Sequence, residues 1–332
     1  MEFITYIDIP TTDLNIDHST ATMLLGSCFA SRVGNRLQQH KFNVDVNPFG
    51  ILYNPFSISG AIRRVLQRRG FTEADLVKHQ GMYHSFMHHG DFSSPDKEAA
   101  LKKISSRFEH AARAIRETDL FLITFGTSHV YWRMESGEVV ANCHKFPEGE
   151  FHRARLTVDD IVEEWNELIG MLLEIRPHAK LLFTVSPIRH WKDGAHENQL
   201  SKSILHLSID KLQRNFADHV QYFPAYELMI DELRDYRFYD EDMLHPSPVA
   251  EEYIWQRFSG TFFSDQTRVI NTEWARIRKS LEHRPLHPDG EMYSQFLKDT
   301  LLKLDTFSKK YPAISCQEER NELIAKINRH TS

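Results

Sequence analysis

Five short apolar segments, each followed by an amphipathic helical stretch, restrict this chain more than any other feature. The segments are TMLL (22–25), FNVDV (42–46), LFLITF (120–125), KLLFTV (180–185) and VQYF (220–223). Apolar residues at helical spacing predict helices near 29–40, 57–69, 96–117, 157–175 and 197–217. The fourth opens on Asp159 and Asp160 and carries the stripe Ile161, Trp165, Ile169 and Leu172. Alternation of this kind predicts an α/β fold with a mainly parallel sheet and helices on both faces. Right-handed crossovers then bring the carboxyl ends of the strands to one edge.

That edge is where the polar residues collect. The strand exits read GSCFA, NPFGILYNP, FGTSHVYW, SPIRHWKDG and FPAYE, whereas the entrances KFNV, TDLF, AKLL and DHVQ carry no such set. Open α/β sheets bind their ligands at this edge. In LLGSCFASRVGNRL a strand ends at Gly-Ser-Cys and passes directly into a helix with the stripe Phe29, Val33 and Leu37. The junction leaves free backbone N–H groups and a positive dipole end, which suit an anion or a developing oxyanion. A tight βα turn that needs a small residue explains the same letters equally well.

Ser27 and Cys28 are both candidate nucleophiles there. A serine hydroxyl needs a base, and among 19 histidines spacing must select one. In YDEDMLHPSPVAEEYIWQRF, Asp242 precedes His245 by three residues, so the carboxylate can hold one ring nitrogen and aim the other at a substrate. A helix cap or a salt bridge also produces this spacing. Thiolates form more easily at helix N-termini. Adjacent side chains diverge, however, and Phe29 begins the core stripe, so Cys28 is expected to be a buried structural thiol.

Gly-Ser near the N-terminus, Gly-x-x-x after a central strand and Asp-x-x-His near the end of the α/β region together resemble the SGNH (GDSL-like) hydrolase superfamily. The literal GSCFA, with NPFGILYNP, NCHKFP, SPIRH and DMLHPS, resembles the GSCFA family within it, over roughly residues 1–310. The resemblance implies a three-layer α/β/α hydrolase fold, flavodoxin-like, with Ser27 as nucleophile, His245 as base and Asp242 as orienting acid. One block departs from it. The superfamily carries Gly-x-Asn-Asp after its third strand, where this chain reads FGTSH, placing Ser128 in the Asn position. A hydroxyl can donate one hydrogen bond. The candidate oxyanion donors are therefore Ser27 N–H, Gly50 N–H, and the Thr127–Ser128 segment or Asn142. Asn54, His144, Arg189 and His190 are candidates for substrate binding at the same edge, though each also reads as a satisfied polar residue. Asn54 either caps the following helix or points into the cleft, with Ser57 the stronger cap.

Composition excludes other classes. The 332 residues are 41% hydrophobic and 26% charged with net charge −6, and the run RRVLQRR reads as a solvated helix face, so no nucleic acid partner is expected. Three distant cysteines without CxxC spacing argue against a zinc site or a disulfide framework. His84, His88 and His89 in MYHSFMHHGDF lack matching ligands and are expected on a surface loop between hairpin strands. No metal and no cofactor are expected. The N-terminus MEFITYIDIPTTDLNID reads as a strand and a loop rather than a signal peptide, and no apolar run approaches ~18 residues, so no membrane partner and a cytoplasmic location are expected.

After about residue 265 three helices are predicted, with Leu297, Leu301, Leu304 and Phe307 as a stripe that packs on the main domain or forms a homodimer contact. The expected organisation is a hydrolase-like domain over 1–265 and a helical C-terminal extension over 266–332. The expected function is a serine esterase that removes a short acyl group, acetyl first among them, from a carbohydrate-like or small-molecule ester. An acyltransferase, or an inactive binding module on the same fold, is the alternative.

Overall fold

In the computed structural model, which describes residues 4–285 and 291–331, the apolar runs become the strands of one parallel sheet. In chain order the elements are β1 (Thr22–Gly26), α1 (Cys28–Gln39), β2 (Val44–Val46), α2 (Pro55–Leu66), β3 (Val77–His79), β4 (Met82–His84), α3 (Lys97–Ala114), β5 (Leu120–Phe125), β6 (His129–Arg133), β7 (Val139–Val140) and β8 (Phe151–Arg155). They continue with α4 (Val158–Ile175), β9 (Lys180–Val185), α5 (Gly194–Asn215), β10 (Val220–Tyr222), the single turn α6 (Ala225–Glu227), α7 (Pro248–Phe262), α8 (Asp265–Leu281), α9 (Glu291–Lys310) and α10 (Gln317–Thr331). The main sheet has the order β10-β9-β5-β1-β2, every pair parallel. An antiparallel hairpin, β3–β4, and a three-stranded antiparallel sheet, β7-β6-β8, are inserted between its strands. The chain divides into two compact units, one of residues up to 11, 21–35 and 44–258, the other of residues 12–20, 36–43 and 259–332.

In the first unit the pleat sorts the strand residues by parity. Met23, Leu25, Phe121, Ile123, Phe125, Leu181, Phe183 and Val185 join one core with Ile58 and Ile62 of α2, Ile104 and Phe108 of α3, Trp165 and Ile169 of α4, and Leu205 and Ile209 of α5. The intervening Leu24, Leu122 and Leu182 are buried too, so the sheet is covered on both faces in three α/β/α layers. Trp165 meets Phe125 and Phe183 edge-on at 5.1 and 5.2 Å, and its Nε1–H donates to Pro55 O at 3.3 Å.

Close pairing ends β1. Gly26 adopts φ +140°, and a Cβ there would lie 2.2 Å from Thr124 O on β5. Its N–H donates to Asn47 Oδ1 at 2.9 Å, and Asn47 Nδ2 donates to Ser31 Oγ at 2.7 Å, so Asn47 ties the strand exit to α1.

Four expectations are corrected. Asn54, not Ser57, caps α2: Asn54 Oδ1 accepts Ser57 N–H at 2.7 Å, because Pro55 fixes the first helical φ and puts Asn54 one residue ahead of it. The N-terminal segment 4–20 contains no strand; Ile7 instead donates to the Glu232 carboxylate at 2.6 Å and accepts from Arg257 at 2.5 Å. The histidines do not sit on a loop between the hairpin strands, since the turn falls at Gln80–Gly81. His84 ends β4, and His88 is buried against Phe49, Phe71 and Phe92. Cys28 is half-buried rather than buried.

In the second unit, Leu297, Leu304 and Phe307 are buried together with Ile270, Trp274, Ile277, Ile314 and Leu323, and Leu301 packs against them. The stripe is thus covered by α8 and α10 of its own unit. Trp274 Nε1–H donates to Gln39 O at 2.7 Å. Among the described residues no helix is long and apolar enough to cross a membrane.

Gly26→Ala is expected to cost about 3 kcal/mol or more in urea unfolding, since the added methyl meets backbone and the φ is unsuitable. Gly60→Ala, in the interior of α2 with nothing within 4 Å of its Cβ position, is expected to be neutral or to stabilise by up to about 1 kcal/mol. Equal unfolding midpoints for the two variants would contradict the close-pairing account.

Candidate functional site

The exits of β1, β5 and β9 stand side by side because the three strands are parallel neighbours, Gly26 facing Thr124 and Thr124 facing Thr184. Ser27 lies between β1 and α1 and is 1% exposed. Its Oγ accepts Phe29 N–H at 3.3 Å, as a helix-capping serine does, and its own N–H points at Thr124 O at 3.4 Å. Cys28, the first residue of α1, has its thiol 3.7 Å from Tyr53 OH. Burial, followed by the neighbouring Cys28, raises the Tyr53 pKa, so the phenol stays protonated.

The Asp242–His245 pair is formed. Asp242 Oδ2 meets His245 Nδ1 at 2.5 Å, while its Oδ1 accepts the N–H groups of Leu244 and His245, both at 2.9 Å. Those backbone N–H groups, with the imidazole, lower the Asp242 pKa to about 2. The carboxylate is therefore charged and fixes the ring with Nε2 turned away from it. Asp240 N–H donates to His245 O at 2.8 Å, closing the turn, and Met243 within it has φ 58°. Arg189 holds this turn from the β9 exit by donating to Met243 O, and its guanidinium lies over the Trp191 and Tyr239 rings at 5.1 and 4.8 Å. Among the described residues no hydrogen bond joins His245 to Ser27.

The remaining sequence candidates are distributed as follows. Gly50 N–H donates to Asn47 O at 2.8 Å and is committed to that turn; a Cβ on Gly50 would meet His89 Cβ at 2.4 Å. Thr127 N–H donates to Tyr53 O at 3.0 Å, and Thr127 Oγ1 lies 3.2 Å from Ser201 Oγ of α5. Ser128 is buried and turned to the same Ser201 hydroxyl, its N–H at 2.8 Å and its Oγ at 3.1 Å. Asn142 Oδ1 accepts His144 N–H at 2.9 Å, and Asn142 N–H donates to Phe86 O at 3.3 Å. His144 bonds Ser85 O at 2.9 Å and stacks on His84 at 4.4 Å; burial lowers its pKa to about 4. Asn142 and His144 thus brace the segment after β4, and Asn54 caps α2. His190 is tied by its N–H to Asn198 Oδ1 at 2.9 Å, sets its ring edge-on to Tyr53 at 5.7 Å, and has Nε2 closed off without a hydrogen-bond partner among the described residues.

Sequence reasoning missed Lys202. Its Nζ, fully buried, donates to Gly126 O and to Ser186 O, both at 2.8 Å, clamping the β5 and β9 exits together. Burial lowers its pKa to about 7. The signal was present: Asn198, Ser201, Lys202, Leu205, Ser208, Ile209 and Leu212 follow helical spacing, which puts the lysine on the buried stripe of α5. Asn47 and Ser201 were missed as well, because their partners are remote in sequence.

Among the described residues no group of three or more His, Cys, Asp or Glu side chains is placed to hold a metal ion. A cleft of about 910 Å³ in the first unit is lined by Ile4, Glu232, Arg237, Phe238 and Tyr253, among others, and by none of Ser27, Asp242 and His245.

A parallel sheet covered by helices, with its polar loops gathered at the carboxyl edge, defines a three-layer α/β/α protein. The chain belongs to the GSCFA family, whose model matches residues 21–258; residues 274–329 match the GSCFA domain protein, C-terminal domain. A comparison with curated proteins found no match. Among solved structures the chain is similar to an acetyl xylan esterase from the rumen bacterium Butyrivibrio proteoclasticus, at 11% identity and a TM-score of 0.36 over 76% of this chain. The match spans 64% of that protein's length.

Lys202→Met is expected to cost roughly 2–5 kcal/mol at pH 7, because two buried carbonyls lose their donor. Between about pH 7 and 10.5 the unfolded chain holds the lysine proton and the folded chain releases it. The wild type should therefore gain stability with rising pH across that window, by about 1 kcal/mol per unit. Urea unfolding at pH 7, 8, 9 and 10 should give Lys202→Met a flatter profile; parallel profiles would contradict the buried-cation account.

Proposed function

We propose that this chain is a serine esterase of the SGNH type that removes a short acyl group, such as acetyl, from a carbohydrate-like or small-molecule ester. The observation that carries the reading is the Asp242–His245 pair, in which one carboxylate fixes Nδ1 and accepts two backbone N–H groups, leaving Nε2 for a proton. Arg189 fastens that pair to the edge on which Ser27 sits. In this reading Ser27 Oγ attacks the ester carbonyl while its proton passes to His245 Nε2. The protonated His245 then gives the proton to the departing alcohol, and water, activated by the same imidazole, releases the acid. Asp242 stays charged and stabilises the imidazolium. The step requires the Ser27 hydroxyl to leave Phe29 N–H and turn toward His245. Catalytic hydrogen bonds of this kind commonly tighten only when substrate is bound.

One observation favours a second reading. Ser27 is closed off and unlinked to His245, as in a binding module built on a hydrolase fold. Turnover of simple aryl acetates separates the two. The esterase reading expects hydrolysis that Ser27→Ala lowers by at least about 10³-fold, whereas Cys28→Ser stays within about tenfold. An inert wild type would favour the binding module, and a dead Cys28→Ser beside an active Ser27→Ala would transfer the nucleophile to the thiol. Faster release of the aryl group on adding acceptor alcohols, with new esters formed, would redirect the reading to acyl transfer.

A further inference from the structure

An ester-cleaving site needs preorganised donors for the oxyanion, and the positions that the family pattern offers are occupied. Ser128 is turned to Ser201, and Gly50 N–H closes its own turn on Asn47. Among the described residues at the edge, His190, Thr124 and Arg189 each keep a buried polar atom without a hydrogen-bond partner, and of these His190 alone is an imidazole. Its Nε2 is closed off from solvent without a partner, and it lies 3.1 Å from where a Cβ on Gly126 would stand. Gly126 follows β5, whose Thr124 O is the acceptor faced by Ser27 N–H, and Gly126 N–H donates to Tyr53 O at 2.8 Å. The ring is wedged between Gly126 and Tyr53, the residue whose hydroxyl meets Cys28. His245 and His129 are near enough for their charges to act on it. A buried ring nitrogen without a partner costs free energy that a hydrogen-bonding ligand atom can return.

Resting on the esterase reading above, we propose that His190 donates its Nε2–H to the oxyanion of the tetrahedral intermediate, in the place of the superfamily's asparagine amide. As the Ser27 Oγ–carbon bond forms, the carbonyl π pair moves onto oxygen, and the His190 N–H bonds to that oxygen without transferring its proton. When the oxygen pair re-forms the carbonyl, the bond to the alcohol oxygen breaks and His245 supplies the proton. Burial first, then the Lys202 ammonium, hold the His190 pKa down to about 3, so its ring stays neutral wherever His245 can serve as a base. A neutral imidazole N–H is a firm donor, since it does not ionise below strongly basic pH. Gly126 fits the same role, because any side chain there would press on Nε2.

The test is steady-state hydrolysis of an aryl acetate by the full chain. His190→Leu should lower kcat by about 10²–10³-fold with KM within about threefold, and His190→Asn, which restores an N–H donor, should recover at least about tenfold of that loss. Where His190→Leu does not fold, His190→Asn against His190→Asp gives the same comparison, donor kept against donor replaced by an acceptor of equal size. An active wild type whose kcat is unchanged in His190→Leu overturns the proposal alone. So does equal impairment of a folded donor variant and a folded non-donor variant. A wild type inert toward aryl esters overturns the proposal together with the reading beneath it.

Discussion

The parallel pairing of β1 with β5, and of β5 with β9, governs where the polar groups at the carboxyl edge of the sheet stand. Gly26 permits it: its backbone passes so close to Thr124 that no side chain fits between them. Once the three strands run side by side in the same direction, their exits emerge together, and Ser27, Gly126 and Ser186 become neighbours along one edge. The loops that follow inherit this arrangement. Asn47 ties the β1 exit to α1, Lys202 ties the β5 exit to the β9 exit, and Arg189 ties the β9 exit to the turn carrying Asp242 and His245.

The electrostatics of the edge follow from the same packing. While protonated, a lysine buried beneath two carbonyls brings one positive charge into a region of low dielectric, where it acts on His190 and His206 as well as on its own partners. Both imidazoles are kept neutral by burial and by that charge, with pKa values lowered to about 3 and about 4. His245 differs from them in being partly exposed and held by a carboxylate. The edge therefore holds two histidines that burial keeps from taking up a proton near neutral pH.

Much of this was legible in the sequence. The central strands are apolar runs because they are covered on both faces, and the helices announce themselves by spacing, since each hides one stripe. The Asp242–His245 contact follows from a three-residue separation, a local fact that needs no knowledge of the fold. What escaped depends on partners far along the chain. Nothing in FGTSH reveals that Ser128 turns to Ser201, seventy-three residues on. His88 is buried only because the segment after β4 folds back on Phe49 and Phe71. Ser57 looked a better cap than Asn54 until Pro55 was recognised as the first helical residue. Lys202 lay on a readable stripe, but its carbonyl partners belong to two strand exits that only the folded sheet brings together.

The central claim is that Ser27 is an activated nucleophile served by His245, and covalent labelling tests it most directly. A fluorophosphonate reacts with a serine only when a neighbouring base takes its proton. Intact mass and peptide mapping after exposure to such a probe should place a single adduct on Ser27 in the wild type, and His245→Ala should abolish it. An adduct on Cys28, an adduct on Ser27 that persists in His245→Ala, or no adduct at all would contradict the account.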